Sequence, residues 1–422
     1  MGPRIGKEGN RKVLQHYYIG RQAIYDKGLN VMGYELLYRP HDVDRLETLD
    51  DEDYATALVL LNSFIEAGLE ELVGPHKAFI NFTRKFITDS YLIPPSSHQL
   101  VLEILENIEV DDEVIRGVKN LKSKGYTIAL DDFIYHDKMQ PLVELADIIK
   151  IDLLAIDRQE LQRYVQRLQA YPVKLLAEKV ETHEEFETCK ALGFDYYQGF
   201  FLCRPKTVQG ARIPGNRLAT LRMIASLQAP DVDIQELEDI ISHDVSLTFK
   251  LIRYINSAAF SLPRKIESIR HAIVYLGPQE VKNWASLIAM SSINDKPGEL
   301  FITALTRAKM CELLMEAIDA DKKGAAFITG MFSALDAIMD ANLPDLLKEM
   351  PIASEIKDSL LAPHRGPYGK LLQCTLAYER GEWNQVTCPP LKGEIISDSY
   401  MQAVKWAVET GKLLAAPASK AA

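Results

Sequence analysis

Between residues 17 and 205 one phrase recurs: a short apolar run of strand character, a polar residue at or just after its end, and a charged segment with helical spacing. The runs are "VMGYELL", "KAFINF", "QLVLEIL", "YTIALDDF", "DIIKID", "VKLLAEKV" and "FDYYQGF". Strands that alternate with helical segments predict parallel pairing through crossover connections. Seven or eight such units in a row favour a closed β/α barrel over an open sheet, whose central strands would be apolar throughout. Several of these strands carry a charge instead. Glu35, Asn81, Glu103, Asp131 with Asp132, Lys150, Glu178 and Gln198 each fall in or just after their own run, separated by 46, 22, 28, 19, 28 and 20 residues. Barrel strands converge at their carboxyl ends, so these positions are predicted to meet in one pocket. One strand-end charge alone would usually just reach solvent. Spacings as short as 19 and 22 residues leave room only for short crossover helices, which predicts a compact, irregular barrel.

After "CRPKTVQGARIPGN" the rhythm becomes helical. Residues 206–217 read as a linker and 218–412 as an all-helical domain, with 1–16 an N-terminal extension and 413–422 a disordered tail. Asp233 and Glu236 open one helix with a capping box. In "SIRHAIVYLGPQEVKNWASLIAM" one helix is predicted to end at Gly277 and the next to begin at Pro278.

The formal net charge of −11 and the lack of a basic stripe with interleaved aromatics argue against nucleic acid and anionic membranes as partners. No stretch approaches the roughly 18 consecutive apolar residues of a membrane span, and the first residues lack a signal-peptide core, so a cytoplasmic protein is expected. The five cysteines include no C-x-x-C pair and read as reduced, buried thiols.

Glu35, Asn81, Glu103 and Asp131 offer only oxygen donors, the preference of Mg²⁺ or Mn²⁺, and Asp132 extends the set to a second ion. Two such ions activate a water and neutralise phosphate oxygens, which points to phosphodiester hydrolysis. Arg39, four residues beyond Glu35, suits a phosphate bidentately. Lys150 is the candidate for holding, or helping to deprotonate, the attacking water, with Glu178 as its partner or as a further metal ligand.

These residues resemble a known family. "ELLYR" resembles the E-x-L-x-R signature of the EAL cyclic di-GMP phosphodiesterases, and "INFT", "LEILE", "ALDDF", "KID", "AEKVET" and "QGFFLCRP" follow in the family's order. The resemblance implies an EAL-type barrel in which Glu35, Asn81, Glu103, Asp131 and Asp132 bind metal. It also implies that Arg39, Leu37 and Gln198 bind substrate, that Glu35, Lys150 and Glu178 serve catalysis, and that Glu106 anchors the loop after β-strand "IALDDF". In place of that family's glycine-rich loop this chain has "DDFIYHDKMQ", so Ile134, Tyr135 and His136 predict a stiffer, differently shaped segment. In the family the loop couples metal, substrate and a homodimer contact. Lys179 stands where the family has glycine.

"ELEDIISHDVSLTFKLIRYINSAAFSLPRKIESIRHAIVYLGPQEVKNWASL" resembles the HDOD domain, a helical relative of HD phosphohydrolases without their metal site. The His243-Asp244 doublet is expected to be structural, "HRGPYG" a turn, and the domain a docking module for a protein partner. Two functions follow: a Mg²⁺- or Mn²⁺-dependent enzyme that opens cyclic di-GMP to linear pGpG, or a silent cyclic di-GMP receptor or scaffold that signals through its helical domain.

Overall fold

The computed structural model describes residues 17–40, 69–88, 98–133, 139–205, 215–257, 265–293, 296–348 and 350–415. Eight strands close a barrel in sequence order: β1 (Tyr17–Asp26), β2 (Val31–Pro40), β3 (Lys77–Phe82), β4 (Leu100–Ile104), β5 (Thr127–Leu130), β6 (Ile148–Asp152), β7 (Lys174–Glu178) and β8 (Tyr196–Gln198). The expectation of parallel strands holds from β2 to β8 and fails for β1, which runs antiparallel to both of its neighbours. The cause is local. Asp26 accepts hydrogen bonds from the backbone N–H groups of Gly28 and Asn30, Leu29 takes φ 63°, and the resulting tight turn can join only antiparallel strands. Several crossovers are as short as the spacings demand: Arg84–Thr88 and Gln140–Val143 contain five and four helical residues.

Side chains alternate along each strand, and the register sorts the two faces. The outward residues, such as Leu36, Ile80, Leu102 and Ile149, pack under the surrounding helices. Ile24, Phe79, Val101, Ala129, Ile148 and Leu176 point inward and form an apolar plug. Two residues further toward the mouth on the same face lie Gln22, Asn81, Glu103, Asp131, Lys150 and Glu178, joined by Gln198 and Glu35 through the register of β8, β1 and β2. The polar ring therefore sits one layer above a dry floor.

The second half is helical from Gly215–Gln228 to Gly393–Ala415, so helix begins three residues before, and ends three residues after, the expected limits. Asp233 caps Ile234–Ser242 by accepting from the Glu236 N–H. Gly277, at φ 92°, ends Ile269–Leu276, and Pro278 opens the next helix, as the sequence predicts. His243 terminates a helix with Nδ1 2.6 Å from the Asp239 carbonyl oxygen, and Asp244 caps the following helix. The His-Asp doublet is thus two adjacent helix ends.

The two halves meet along β1 and β2. The Arg21 N–H donates to the Tyr400 hydroxyl at 3.3 Å, Tyr378 donates to the Ile19 carbonyl at 3.4 Å, and the Tyr34 hydroxyl donates to Glu299 Oε2 at 3.0 Å. Met401 packs against both cores. Within the helical half, Arg307 grips Glu379 through Nε and Nη2 at 2.7 and 2.6 Å. The helices Gly298–Glu316 and Lys323–Phe332 approach so closely at Gly330 that a Cβ there would collide with the Arg307 carbonyl. Gly330→Ala is expected to cost about 1–3 kcal/mol by overpacking, read as a lower urea midpoint for the helical half at unchanged far-UV dichroism.

Candidate functional site

Lys150, on β6, is fully buried at the centre of the ring. Its Nζ lies 2.6 Å from Asp131 Oδ1, 2.7 Å from Glu103 Oε1, 3.0 Å from Glu178 Oε1 and 3.5 Å from Glu35 Oε2. Gln198 Nε2 donates to Glu35 Oε2 at 2.5 Å and to Gln22 Oε1 at 2.9 Å, which ties β8 to β1 and β2. Asn81 pairs with Glu103 in the β3–β4 register. Of the expected residues, Glu35, Asn81, Glu103, Asp131, Lys150, Glu178 and Gln198 therefore meet in one ring.

The others are placed less directly. Asp132 follows Asp131 with φ 41°; burial and the neighbouring Asp131 carboxylate raise its carboxyl, with Lys179 opposing and Asp152 and Glu106 adding to the shift. Glu106 is exposed in the turn after β4. Leu37 lies one step mouthward of Glu35 on the same face, and its Cδ1 abuts Gly381 of the helical half; Trp383 covers the neighbouring Gly20. Arg39 lies in β2 opposite Tyr18, and its side chain lies outside the described residues, as do Ile134, Tyr135 and His136. Gln22 was missed because it is a neutral residue in the middle of "YYIGRQAIYD" and not at the end of an apolar run; the signal was its alternation, which puts Gln22 on the same face as Ile24. Lys179 takes φ 54°, a conformation normally left to glycine, and its ammonium pairs with Asp152 at 2.5 Å.

The electrostatics follow from one cation among four carboxylates. Burial pushes the Glu103 carboxyl well above its ordinary range, an effect that Lys150 only partly offsets. Burial likewise raises Glu178 to about 8, with Lys150 opposing and Asp131 and Glu35 adding to the shift. Burial alone would depress Lys150, but Glu103, Glu35, Glu178 and Asp131 together hold its ammonium well above the usual lysine range. Negative charge is in excess, and Glu103 Oε2 and Glu178 Oε2 are buried oxygens with no hydrogen-bond partner. An all-oxygen donor set with surplus charge and unsatisfied oxygens fits a hard divalent cation. Among the described residues no three His, Cys, Asp or Glu side chains already stand at metal-binding positions; the Lys150 ammonium lies between the carboxylates.

Loss of that ammonium has a pH signature. With Glu103 and Glu178 raised, the folded chain binds more protons than the unfolded one, so stability falls as pH rises from the ordinary carboxylate range towards about 8. Lys150→Met removes the counter-charge and steepens that fall. In chelator-treated protein its deficit is expected to be about 3–5 kcal/mol at pH 8 and to shrink towards pH 5, measured by denaturant unfolding at each pH.

Comparison with known proteins agrees with this architecture. The EAL domain description matches residues 56–205 and the HDOD domain description residues 215–359. "Cyclic di-GMP phosphodiesterase CdgJ" of Vibrio cholerae is 30% identical over 405 residues, covering 94% of each chain. YuxH of Bacillus subtilis is 30% identical over 402 residues, covering 92% of this chain and 97% of its own. A solved Klebsiella pneumoniae BlrP1 manganese/cy-diGMP complex aligns with 45% of this chain and 56% of that one, at 23% identity and a TM-score of 0.37. With a barrel and a helical half in the same order as in relatives matched almost end to end, the chain belongs to the EAL–HDOD family.

Proposed function

We propose that the barrel is a Mg²⁺- or Mn²⁺-dependent phosphodiesterase that hydrolyses one phosphodiester bond of cyclic di-GMP to give linear pGpG, with the HDOD domain as its regulatory, partner-docking module. The observation that carries this reading is the ring of oxygen donors around Lys150, whose surplus negative charge calls for a further cation. The name of the Vibrio relative supports the substrate.

Glu35, Asn81, Glu103 and Asp131 would hold the metal, with Asp132 available for a second ion. Bound there, the ions would acidify a water and neutralise phosphate oxygens. Lys150 holds Glu103, Asp131 and Glu178 in register by direct contact, and Gln198 fixes the orientation of Glu35. Glu178, with its carboxyl raised to about 8, is matched to exchange a proton near neutral pH and serves as the base for the attacking water. Arg39 at the end of β2 supplies a guanidinium for the phosphate, and Leu37 an apolar contact for the nucleotide.

The test is chromatography of purified protein incubated with cyclic di-GMP and Mg²⁺ or Mn²⁺, with binding titrated in Ca²⁺. Linear product that disappears with chelator is expected. Glu35→Ala should abolish turnover, and Glu178→Gln should lower kcat by about a hundredfold or more at little change in KM. Unaltered hydrolysis by Glu35→Ala would overturn the site assignment, whereas binding without product would make the chain a receptor.

A further inference from the structure

A cavity of about 670 Å³ lies in the seam between barrel and helical half. It is built from both sides. The barrel contributes Arg21, Tyr34 and the segment from Val73 to His76; the helical half contributes the start of helix Gly298–Glu316, Lys250 and the end of the last helix. Cavities of a few hundred to a thousand cubic ångströms at domain interfaces are the common form of small-molecule sites.

The lining has two characters. One wall is apolar, with Met290, Ile293, Phe301, Ile338 and Leu414. The charged groups are Arg21, Lys250, Lys296 and Lys412 against the single acid Glu299. Their partners decide what remains available. Asp340 holds Lys296 at 2.6 Å. The Arg21 guanidinium donates to the Leu72 carbonyl at 2.6 Å and lies 4.3 Å from the centre of the Tyr34 ring, while the Tyr34 hydroxyl engages Glu299. Lys250 and Lys412 form no ion pair among the described residues. Lys250, half-buried, and Lys412, exposed, thus line a partly apolar cavity without an ion-pair partner among those residues, and the adjoining helix Gly298–Glu316 follows Pro297 with no side-chain cap on its first N–H groups.

We propose that this seam cavity is an effector site for a small organic anion with an apolar body, whose acidic head pairs with Lys250 and Lys412 while its body packs on the Phe301 and Ile338 wall. Its position gives the occupant leverage on the catalytic ring. Arg21 and Tyr34 face the cavity from the outer side of β1 and β2, and their immediate neighbours Gln22 and Glu35 face the ring on the inner side. A ligand that fixes the outer face of this strand pair restrains the inner one, because neighbouring residues share the same backbone.

The proposal is tested by fluorescence titration of the full chain with 1-anilinonaphthalene-8-sulfonate, an aromatic body with one sulfonate, beside the uncharged N-phenyl-1-naphthylamine. The titration reads binding and not turnover, so its failure and that of the phosphodiesterase assay are separate results. One saturable site per chain is expected for the sulfonate, with clearly weaker binding of the uncharged dye. Lys250→Glu is expected to weaken the sulfonate about tenfold or more by reversing a charge at the site. Gly298→Glu gives a second variant that leaves Lys250 in place: a Cβ at Gly298 meets nothing within 4 Å, so the added carboxylate enters open space at the cavity wall. It too should weaken the dye while the far-UV spectrum and melting temperature stay those of the parent. Absence of a saturable site, equal affinity for the uncharged dye, or parental binding by folded Gly298→Glu would each overturn the proposal.

Discussion

The Lys150 ammonium, buried among Glu35, Glu103, Asp131 and Glu178, is the interaction on which the site depends. Four carboxylates at the bottom of one pocket repel one another, and their removal from water is costly unless a cation compensates. Lysine suits the place because its charge is compact and its three donors can serve several acceptors at once. It leaves the cluster under-neutralised, and the proposed metal-dependent reading rests on that surplus of negative charge. A structural core would instead have matched its charges. The apolar layer of Ile24, Phe79, Val101, Ala129, Ile148 and Leu176 below the ring closes off water from beneath and keeps these interactions strong.

The antiparallel first strand links this site to the rest of the molecule. Along β1 the residues alternate between two tasks: Gln22 and Ile24 face into the barrel, while Ile19 and Arg21 supply backbone groups to Tyr378 and Tyr400 of the helical half. Along β2, Glu35 enters the ring and Tyr34 reaches Glu299. The helical domain therefore packs on the strands that carry part of the site, and Trp383 and Gly381 reach as far as Gly20 and Leu37. A domain attached by a flexible tether alone would lack such contacts. Here a displacement of the helical half has a short mechanical route to Glu35 and Gln198.

Much of this was legible beforehand because it is encoded locally. A polar residue at the end of each apolar run, at spacings set by the crossovers, identified the ring members from Glu35 to Gln198. Gly277 followed by Pro278, and Asp233 three residues before Glu236, marked helix ends through backbone chemistry that acts within one turn. The direction of β1 and the membership of Gln22 were less legible: the turn that reverses the chain is made by an Asp26 side chain bonded to backbone, and a neutral glutamine in a strand carries no distinguishing signal. Lys179 likewise read as a departure, and neither its left-handed backbone nor its ion pair with Asp152 was visible in the sequence.

The sequence by itself determined the class of the fold, the order of the two halves and the identity of the ring residues from Glu35 to Gln198, though not of Gln22, since strand alternation and helix capping are short-range. Tertiary structure alone decided which group sits at the centre of the ring, which carboxyls are pushed towards neutrality and where the helical half rests. Those outcomes depend on distances between residues more than a hundred positions apart, as in the contact of Lys150 with Glu35. Closure of the barrel sets such distances, and burial then converts them into energy.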